Sequence, residues 1–267
     1  MKAIILAAGV GRRLGDGPEH RPKALLRFGS CTLLERHLAI LRAFDIVDIG
    51  ITVGYRADLV AEEVDRLGLA GEVRLIENPH YREGSVVSLW AARDILQSGE
   101  PVVLMDADVL YDPRLMSRLL GSKIANCLLL DRDIESGEEP VKICVRGDRI
   151  VDFHKRPQHD YDWRGESVGF FRFSPGPALE LARRVVDYVG SAEQRLMEYE
   201  EPIRDMLLES TSHEFGFEDI TDLPWIEIDF PEDVRCAREI VLPRLVDKDL
   251  FESASLFLDP VRRAVRL

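Results

Sequence analysis

Four cysteines in 267 residues (Cys31, Cys127, Cys144 and Cys236) are too few and too scattered for a disulfide frame or a thiolate metal centre, and no Cys-x-x-Cys pair occurs. They read as reduced, mostly buried thiols of a cytoplasmic protein. No apolar run approaches the roughly 18 residues of a membrane-spanning helix, and the opening apolar stretch, residues 3–8, is too short for a signal peptide and has no cleavage pattern after it. Positive charge is in deficit: 35 Lys and Arg face 48 Asp and Glu, a net charge of −13, which argues against a nucleic-acid or membrane-surface partner. Two familiar phosphate loops are missing as well. Gly9 and Gly11 follow an apolar run as in a dinucleotide fingerprint, but Leu14 stands where the third glycine belongs, and no Gly-Lys-Ser or Gly-Lys-Thr occurs for a Walker loop. Repeats, low-complexity segments and an obvious linker are absent too, and so is any Ser-His-Asp or Cys-His arrangement for nucleophilic catalysis.

What is present is 46% hydrophobic residues, enough for a large core in one extended domain or two unequal ones. The first half alternates strand-like and helix-like runs. "KAIILAA", "VDIGITVGY", "EVRLIEN" and "PVVLMDADV" read as strands. Between them, "TLLERHLAILRAF" places Leu34, Leu38, Leu41 and Phe44 on one helical face, a helix is expected over 58–67, and "SVVSLWAARDIL" reads as a helix capped by Ser85. Such repetition predicts an α/β fold with a mostly parallel sheet and helices on both faces. The second half differs. "PVKICVRGDRIVDFHK" reads as a hairpin turning at Gly147-Asp148, "ESVGFFRFS" as a strand, 175–189 as a helix, "MEYEEPIRDMLLE" as helical after its proline, "WIEIDF" as a strand, and 232–245 as a helix. The predicted organisation is one domain over 1–245 with a β-rich insertion at about 139–174 on the substrate side. A helical tail at 246–267 follows, amphipathic enough to pack on the domain or on a second subunit of a homodimer.

The chain's positive charge is not evenly spread. Residues 1–27 hold Lys2, Arg12, Arg13, Arg21, Lys23 and Arg27 against Asp16 and Glu19, a surplus of four cations. Ligands of open α/β sheets sit at the carboxyl ends of strands, where this segment begins. Leu6, Ala7, Ala8, Gly9 and Gly11 let the backbone approach a phosphate and turn N–H groups toward it. Arg13 can clamp phosphate oxygens bidentately, and Lys23, stiffened by Pro22, supplies a point charge from across the loop. The alternative is an ordinary basic surface loop.

The arrangement Leu6-Ala7-Ala8-Gly9-x-Gly11-x-Arg13-Leu14, followed by Arg21-Pro22-Lys23-Ala24-Leu25, resembles the signature of the nucleotidyltransferase superfamily that activates sugar phosphates and phospho-alcohols. The resemblance covers roughly residues 1–245. It implies a Rossmann-like, GT-A-like mixed sheet, a nucleotide over the first loop and magnesium-dependent chemistry. Arg13, Lys23 and Asp108 are then the catalytic candidates. In "MDADV", alternation along a strand would set Asp106 and Asp108 on one face. The resemblance makes Asp108 the Mg²⁺ ligand and Asp106 its neighbour at the nucleotide, unless both merely cap the following helix. Asp229 in "PWIEIDFPED" resembles the family's second metal-binding aspartate, with Glu227 and Asp233 as substitutes; the rival reading is a helix-start residue.

The stretch "NPHYREGSVVSLWAARDIL" is similar to the corresponding segment of cytidylyltransferases for phosphocholine, inositol 1-phosphate and related phosphonates. Asn78, Tyr81, Ser85, Ser88 and Leu89 carry the match, which implies CTP as nucleotide, with Tyr81, Ser85 and Ser88 beside the pyrimidine. "MEYEEPI" is similar to a segment of bacterial phosphocholine cytidylyltransferases, so Glu198 and Tyr199 become acceptor-binding candidates. "DFHKRP" resembles the Glu-Lys-Pro of sugar transferases and makes Lys155 the candidate for the acceptor phosphate, with Lys142 as substitute. A quaternary ammonium would want an aromatic cage, for which Trp90, Trp163, Tyr161, Tyr199 and Trp225 are available; inositol would want Glu166, Glu198 or Asp162. The expected reaction transfers CMP from CTP to a small phosphorylated acceptor with release of pyrophosphate. A sugar-1-phosphate nucleotidyltransferase using another nucleotide and an idle nucleotide-binding module are the rivals, the latter disfavoured by the joint presence of Arg13, Lys23, Asp108 and Asp229.

Overall fold

The computed structural model describes residues 1–15, 20–134, 140–210 and 214–246. Its chain order begins with strand β1 (Lys2–Ala7), the short hairpin β2 (Arg27–Phe28) and β3 (Cys31–Thr32), helix α1 (Leu33–Ala43), β4 (Asp48–Val53), α2 (Ala57–Arg66) and β5 (Val73–Glu77). Helices α3 (Ser85–Ala91) and α4 (Arg93–Leu96) lead to β6 (Val102–Asp106), β7 (Val109–Tyr111), α5 (Pro113–Gly121) and β8 (Asn126–Asp131). The second half holds β9 (Lys142–Arg146), β10 (Arg149–His154), β11 (Trp163–Phe173), α6 (Pro175–Gly190), α7 (Glu200–Glu209), β12 (Phe215–Asp219), β13 (Trp225–Glu227) and α8 (Pro231–Cys236).

Local chemistry sets many of these boundaries. Thr32 caps α1, its hydroxyl accepting from the Glu35 N–H at 3.0 Å, and Asp112 with Pro113 starts α5. Asp233 reaches back to the Asp229 and Phe230 N–H groups at 2.8 and 2.6 Å, starting α8. The other end of α5 is tied down by Arg172, whose guanidinium donates to the carbonyls of Leu120, Ser122 and Ile124. On β1, Ala3, Ile5 and Ala7 pack with α1, α2 and α5, whereas Ile4 packs with α3, α4, α6 and α7. A strand apolar on both faces belongs in a sheet covered on both sides, which is why "KAIILAA" shows no alternation.

The main sheet runs β10-β9-β11-β6-β1-β4-β5, with β8 on the other edge of β11 and β12 beyond β8. Strands β5, β4, β1 and β6 are parallel, as are β8 and β12, while β11 runs antiparallel to β6, β8 and β9. The chain moves outward through β4 and β5 and then returns to the far side of β1 with β6. The strand order therefore reverses beside β1, and the crevice at the carboxyl ends of β1 and β6 is where such a sheet binds its ligand.

Several sequence expectations need correction. "PVVLMDADV" is not one strand: β6 stops at Asp106, residues 107 and 108 form a turn, and β7 pairs instead with β13. Asp108 is thus a turn residue and does not alternate with Asp106. The strand in "WIEIDF" ends at Glu227, leaving Asp229 beyond it. Gly84, not Ser85, caps α3. Helix α7 begins at Glu200, two residues ahead of Pro202, and the helix expected over 232–245 shortens to α8, followed by a π-turn over Ala237–Val241 and a 3₁₀ turn over Leu242–Arg244. Strands β8 and β12 carry no signal beyond short apolar runs. The four cysteines are free, and no helix of the described residues is long and apolar enough to cross a membrane. The tail expected over 246–267 lies, apart from Val246, outside the described residues.

Candidate active site

A cavity of about 610 Å³ opens at the carboxyl ends of β1 and β6, between the first loop, the β6–β7 turn, β11, the start of α7 and the segment after β13. The residues expected from sequence that line it are Arg13, Lys23, Ser85, Asp106, Asp108, Lys155, Glu166, Glu198, Tyr199 and Asp229, together with the substitute ligands Glu227 and Asp233 and the aromatic Trp225. They come from segments up to 216 positions apart, so only the fold brings them together.

The first wall is the loop after β1. Gly11 sits in the left-handed region (φ 66°), and a Cβ there would lie 3.0 Å from the Lys23 side chain, so both conformation and space favour glycine. His20 Nε2 lies 2.6 Å from the Val10 carbonyl, and the Tyr55 N–H donates to Ala8 at 3.0 Å. Lys23 opens a short turn and reaches into the cavity. Its ammonium donates to Asp108 at 2.8 Å and to Asp229 at 2.6 Å, while Arg13 donates to the other Asp229 oxygen at 2.8 Å. Burial works to lower the Lys23 pKa, but Asp108 and Asp229 outweigh it and raise it, keeping the ammonium charged. Conversely, burial would raise Asp229, and Lys23 with Arg13 holds it below the ordinary carboxylate range.

The floor is acidic. Asp108, Glu227 and Asp229 offer carboxylate oxygens within 4.8 Å of one another. Their backbones are stitched together: the Ile228 N–H, between Glu227 and Asp229, donates to the Asp108 carbonyl at 3.0 Å, and the Ala107 N–H donates to Leu6 on β1 at 3.2 Å. Hard oxygen ligands at this spacing suit a small divalent cation, which takes one or two carboxylates and completes its shell with water and phosphate. Glu227 meets solvent in the cleft yet is crowded by its walls. Desolvation, then Asp108 and Asp229, raise its pKa well above the carboxylate range, a charge excess that a bound cation would relieve.

Asp106 stands next to this floor and is treated differently. The Tyr199 hydroxyl donates to it at 2.6 Å. Burial and the nearby Asp108 raise the Asp106 pKa. Gly169 makes room for the carboxylate. A Cβ there would come within 2.2 Å of Asp106 Oδ2, and the residue's φ of 75° lies in a stretch where β11 bulges away from β8.

The far wall belongs to β9, β10, β11 and α7. Lys155 pairs with Glu198 at 3.0 Å. Its loop is held from behind by Asp152, a fully buried carboxylate that accepts from Arg204 at 2.8 Å and from the Gln158 and His159 N–H groups at 2.7 and 3.0 Å. Ser85 accepts the Tyr199 N–H at 2.8 Å, which locks the start of α3 to the segment ahead of α7. Glu200 also lines the cavity, with a buried Oε2 that has no hydrogen-bond partner; burial and then Glu198 push its pKa up to about 8.

Other expected residues stand outside this lining. Leu6 and Ala7 end β1, and Ala8, Gly9 and Gly11 lie in the loop that follows it. Tyr81 packs on Gly54, with its ring centroid 6.4 Å from that of Tyr55. Ser88 is buried and accepts from Asn78 at 3.0 Å. Lys142 is buried on β9 and donates to the carbonyls of Pro140 and Lys155, both at 2.9 Å, so it braces the Lys155 loop from below. Of the aromatics, Tyr199 and Trp225 reach the cavity. Trp225 donates to Asp131 at 2.7 Å, whereas Trp163 packs edge-on against Phe217 and Trp90 lies under Arg93. Those two are not available for a cage. Glu200, Gly169 and Asp131 escaped the sequence reading, because nothing local marks a glutamate whose partner is missing or a glycine that faces a carboxylate.

The model of the MobA-like NTP transferase domain matches residues 3–146. Among characterised proteins, a bifunctional IPC transferase and DIPP synthase of Rubrobacter xylanophilus is 34% identical over 245 residues, 90% of this chain and 52% of that protein. A CMP-5'-(3-aminopropyl)phosphonate synthase of Streptomyces rubellomurinus is 27% identical over 253 residues, 89% of this chain and 38% of that one. The chain thus spans about half the length, or less, of these relatives. Among solved structures, the inositol-1-phosphate CTP transferase of Thermotoga maritima superposes with a TM-score of 0.67 at 21% identity, covering 97% of this chain and 96% of that one, a likeness of fold.

Proposed function

The chain belongs to the MobA-like NTP transferase family, and on that premise we propose that it is a cytidylyltransferase, moving CMP from CTP to a small phospho-alcohol or phosphonate and releasing pyrophosphate. The observation that carries the reading is the meeting of Arg13 and Lys23 with the Asp108, Glu227 and Asp229 carboxylates at the point where strand order reverses.

An oxygen of the acceptor's phosphate or phosphonate attacks the α-phosphorus of CTP in line. A new P–O bond forms as the bond to the bridging oxygen breaks, and pyrophosphate departs with the electron pair. The nucleophile is already anionic, so no general base is needed. Catalysis then rests on alignment and on neutralising charge. Lys23, mobile about a flexible stem yet fixed in its charge, serves the α-phosphate. Arg13, with the looped backbone at residues 9–11 beside it, takes the departing phosphates. Asp108 and Asp229, with Glu227, are the residues that would hold Mg²⁺, which would supply charge compensation to the phosphates. Lys155 faces the acceptor's phosphate. Glu198, Glu200 and Glu166 offer oxygens to a head group that donates hydrogen bonds or carries positive charge, as an amine or a polyol does.

The deciding experiment measures pyrophosphate release with Mg²⁺ for CTP, UTP, GTP, ATP and dTTP against phosphocholine, inositol 1-phosphate, 2-aminoethylphosphonate and glucose 1-phosphate. Release with CTP and one non-sugar acceptor is expected. Release with a sugar phosphate alone would overturn the acceptor class.

A further inference from the structure

His37 lies on α1 among Leu33, Leu34, Leu38, Ile40 and Leu41, all buried, and is itself wholly buried. A polar ring in such company costs desolvation unless it is bonded. Its single bond is from Nε2, 3.1 Å from the Ala107 carbonyl. A carbonyl only accepts, so Nε2 carries the proton and donates, and Nδ1 is left with a lone pair and no partner. Burial lowers the imidazole pKa to about 4, which keeps the ring neutral. Tyr111 stacks on it with centroids 5.3 Å apart, and Phe170 meets it edge-on at 6.2 Å, so the ring cannot swing away.

Ala107 is the residue between Asp106 and Asp108. Its N–H is tied to Leu6, and the Asp108 carbonyl to the Ile228 N–H. The Ala107 carbonyl of the same turn is held by a side chain from α1. We propose that His37 is a positioning residue for the metal-binding carboxylates, its Nε2–H fixing the Asp106-Ala107-Asp108 turn so that Asp108 meets Glu227 and Asp229 at ligand spacing. The proposal rests on the metal-assisted reading above.

The test is the Mn²⁺ dissociation constant of the nucleotide-free full chain, followed by electron paramagnetic resonance, with kcat and acceptor KM measured in parallel. His37→Gln places an amide donor where Nε2 stood and should keep Mn²⁺ affinity close to wild type. His37→Asn is one methylene too short to reach Ala107. It should weaken Mn²⁺ binding by on the order of tenfold, with kcat falling and the acceptor KM unchanged. Wild-type affinity in His37→Asn overturns the proposal. Equal loss in both variants does too, since it would report core packing and not the bond. A readout that needs no variant is the long-range ¹H–¹⁵N spectrum of the histidines: an Nδ1–H tautomer at His37 overturns the assignment. Asp108→Asn separates the two levels. Mn²⁺ binding indifferent to Asp108→Asn sinks the metal reading and the role of His37 with it, whereas binding sensitive to Asp108→Asn but not to His37→Asn sinks the role of His37 alone.

Discussion

Lys23 and Glu200 show how differently two charged residues in one cavity are used. Lys23 is surrounded by compensation, with two carboxylates within 2.8 Å. Lys23→Ala should lower kcat roughly 10²–10³-fold, the loss typical of one aimed charge, while circular dichroism shows an unchanged fold; near wild-type turnover would remove Lys23 from the chemistry. Glu200 has the opposite problem, a buried oxygen without a partner and a pKa raised to about 8. The folded chain therefore holds a proton that the unfolded chain releases near pH 4.5. That contribution to stability is full below about pH 4.5 and is lost as pH rises toward and through 8. Glu200→Gln should accordingly gain Tm over wild type as pH is raised from 5 to 8.5, by several degrees if 1 kcal/mol is worth about 2–4 °C at this size. A constant Tm difference across that range would mean that Glu200 is charged in the fold. At this scale the sequence was legible where chemistry is written in local spacing. Arg13 and Lys23 stand in such a pattern, and Asp108 and Asp229 stand in short acidic stretches beside apolar runs. Glu200 was not legible, because its missing partner is a property of three dimensions.

Elements position these residues, and some are easily misread. The strand-like sequence "VVLMDADVLY" hides a change of partner: β6 belongs to the main sheet and β7 to a separate ribbon with β13. The two-residue turn between them is what brings Asp108 across to Asp229. The strand reading failed there because periodicity reports burial and says nothing of which strand is the neighbour. Strand β11 is the converse case, one strand with two neighbours on a single edge, β9 at Trp163–Glu166 and β6 at Phe170–Phe173. Gly169 sits at the change. Gly169→Ala forces a Cβ into Asp106 and into a left-handed backbone, and should cost about 1–3 kcal/mol together with most activity. Retained activity would show that Asp106 can move without consequence. The loop bearing Lys155 depends on a different device. Asp152→Asn keeps the size but leaves Arg204 without its buried counter-charge and turns an amide toward the Gln158 and His159 donors. A loss of about 3 kcal/mol is expected, with acceptor KM rising more than kcat falls. An unaltered KM would detach the Lys155 loop from acceptor binding.

For the whole molecule, a mostly parallel sheet with helices on both faces was legible as alternation of runs, whereas the order β5-β4-β1-β6, from which the place of the crevice follows, was not. Nor was the β8 and β12 edge, since short apolar runs without flanking turns look the same in a strand and in a buried helix. Among the described residues, every one that lines the cavity lies at or before Asp233. A chain ending at Val246, whose N–H donates to Asp112 at 2.9 Å, should therefore release pyrophosphate within a factor of about three of the full chain. Collapse of activity would assign the remaining 21 residues a part in catalysis or in subunit pairing, which light scattering would separate. Chelation of divalent ions should abolish turnover in both forms, and Mn²⁺ should restore it.

The divided edge of β11 has a consequence for how such a molecule can change over time. Its carboxyl half is registered with β6 and thereby with the side proposed for the nucleotide, its amino half with the β9–β10 hairpin and the side proposed for the acceptor. The bulge at Gly169 absorbs any mismatch between the two. Lengthening or reshaping the hairpin need not shift a single pairing in the nucleotide half. A lineage built on this plan can trade one acceptor for another while inheriting its donor chemistry intact.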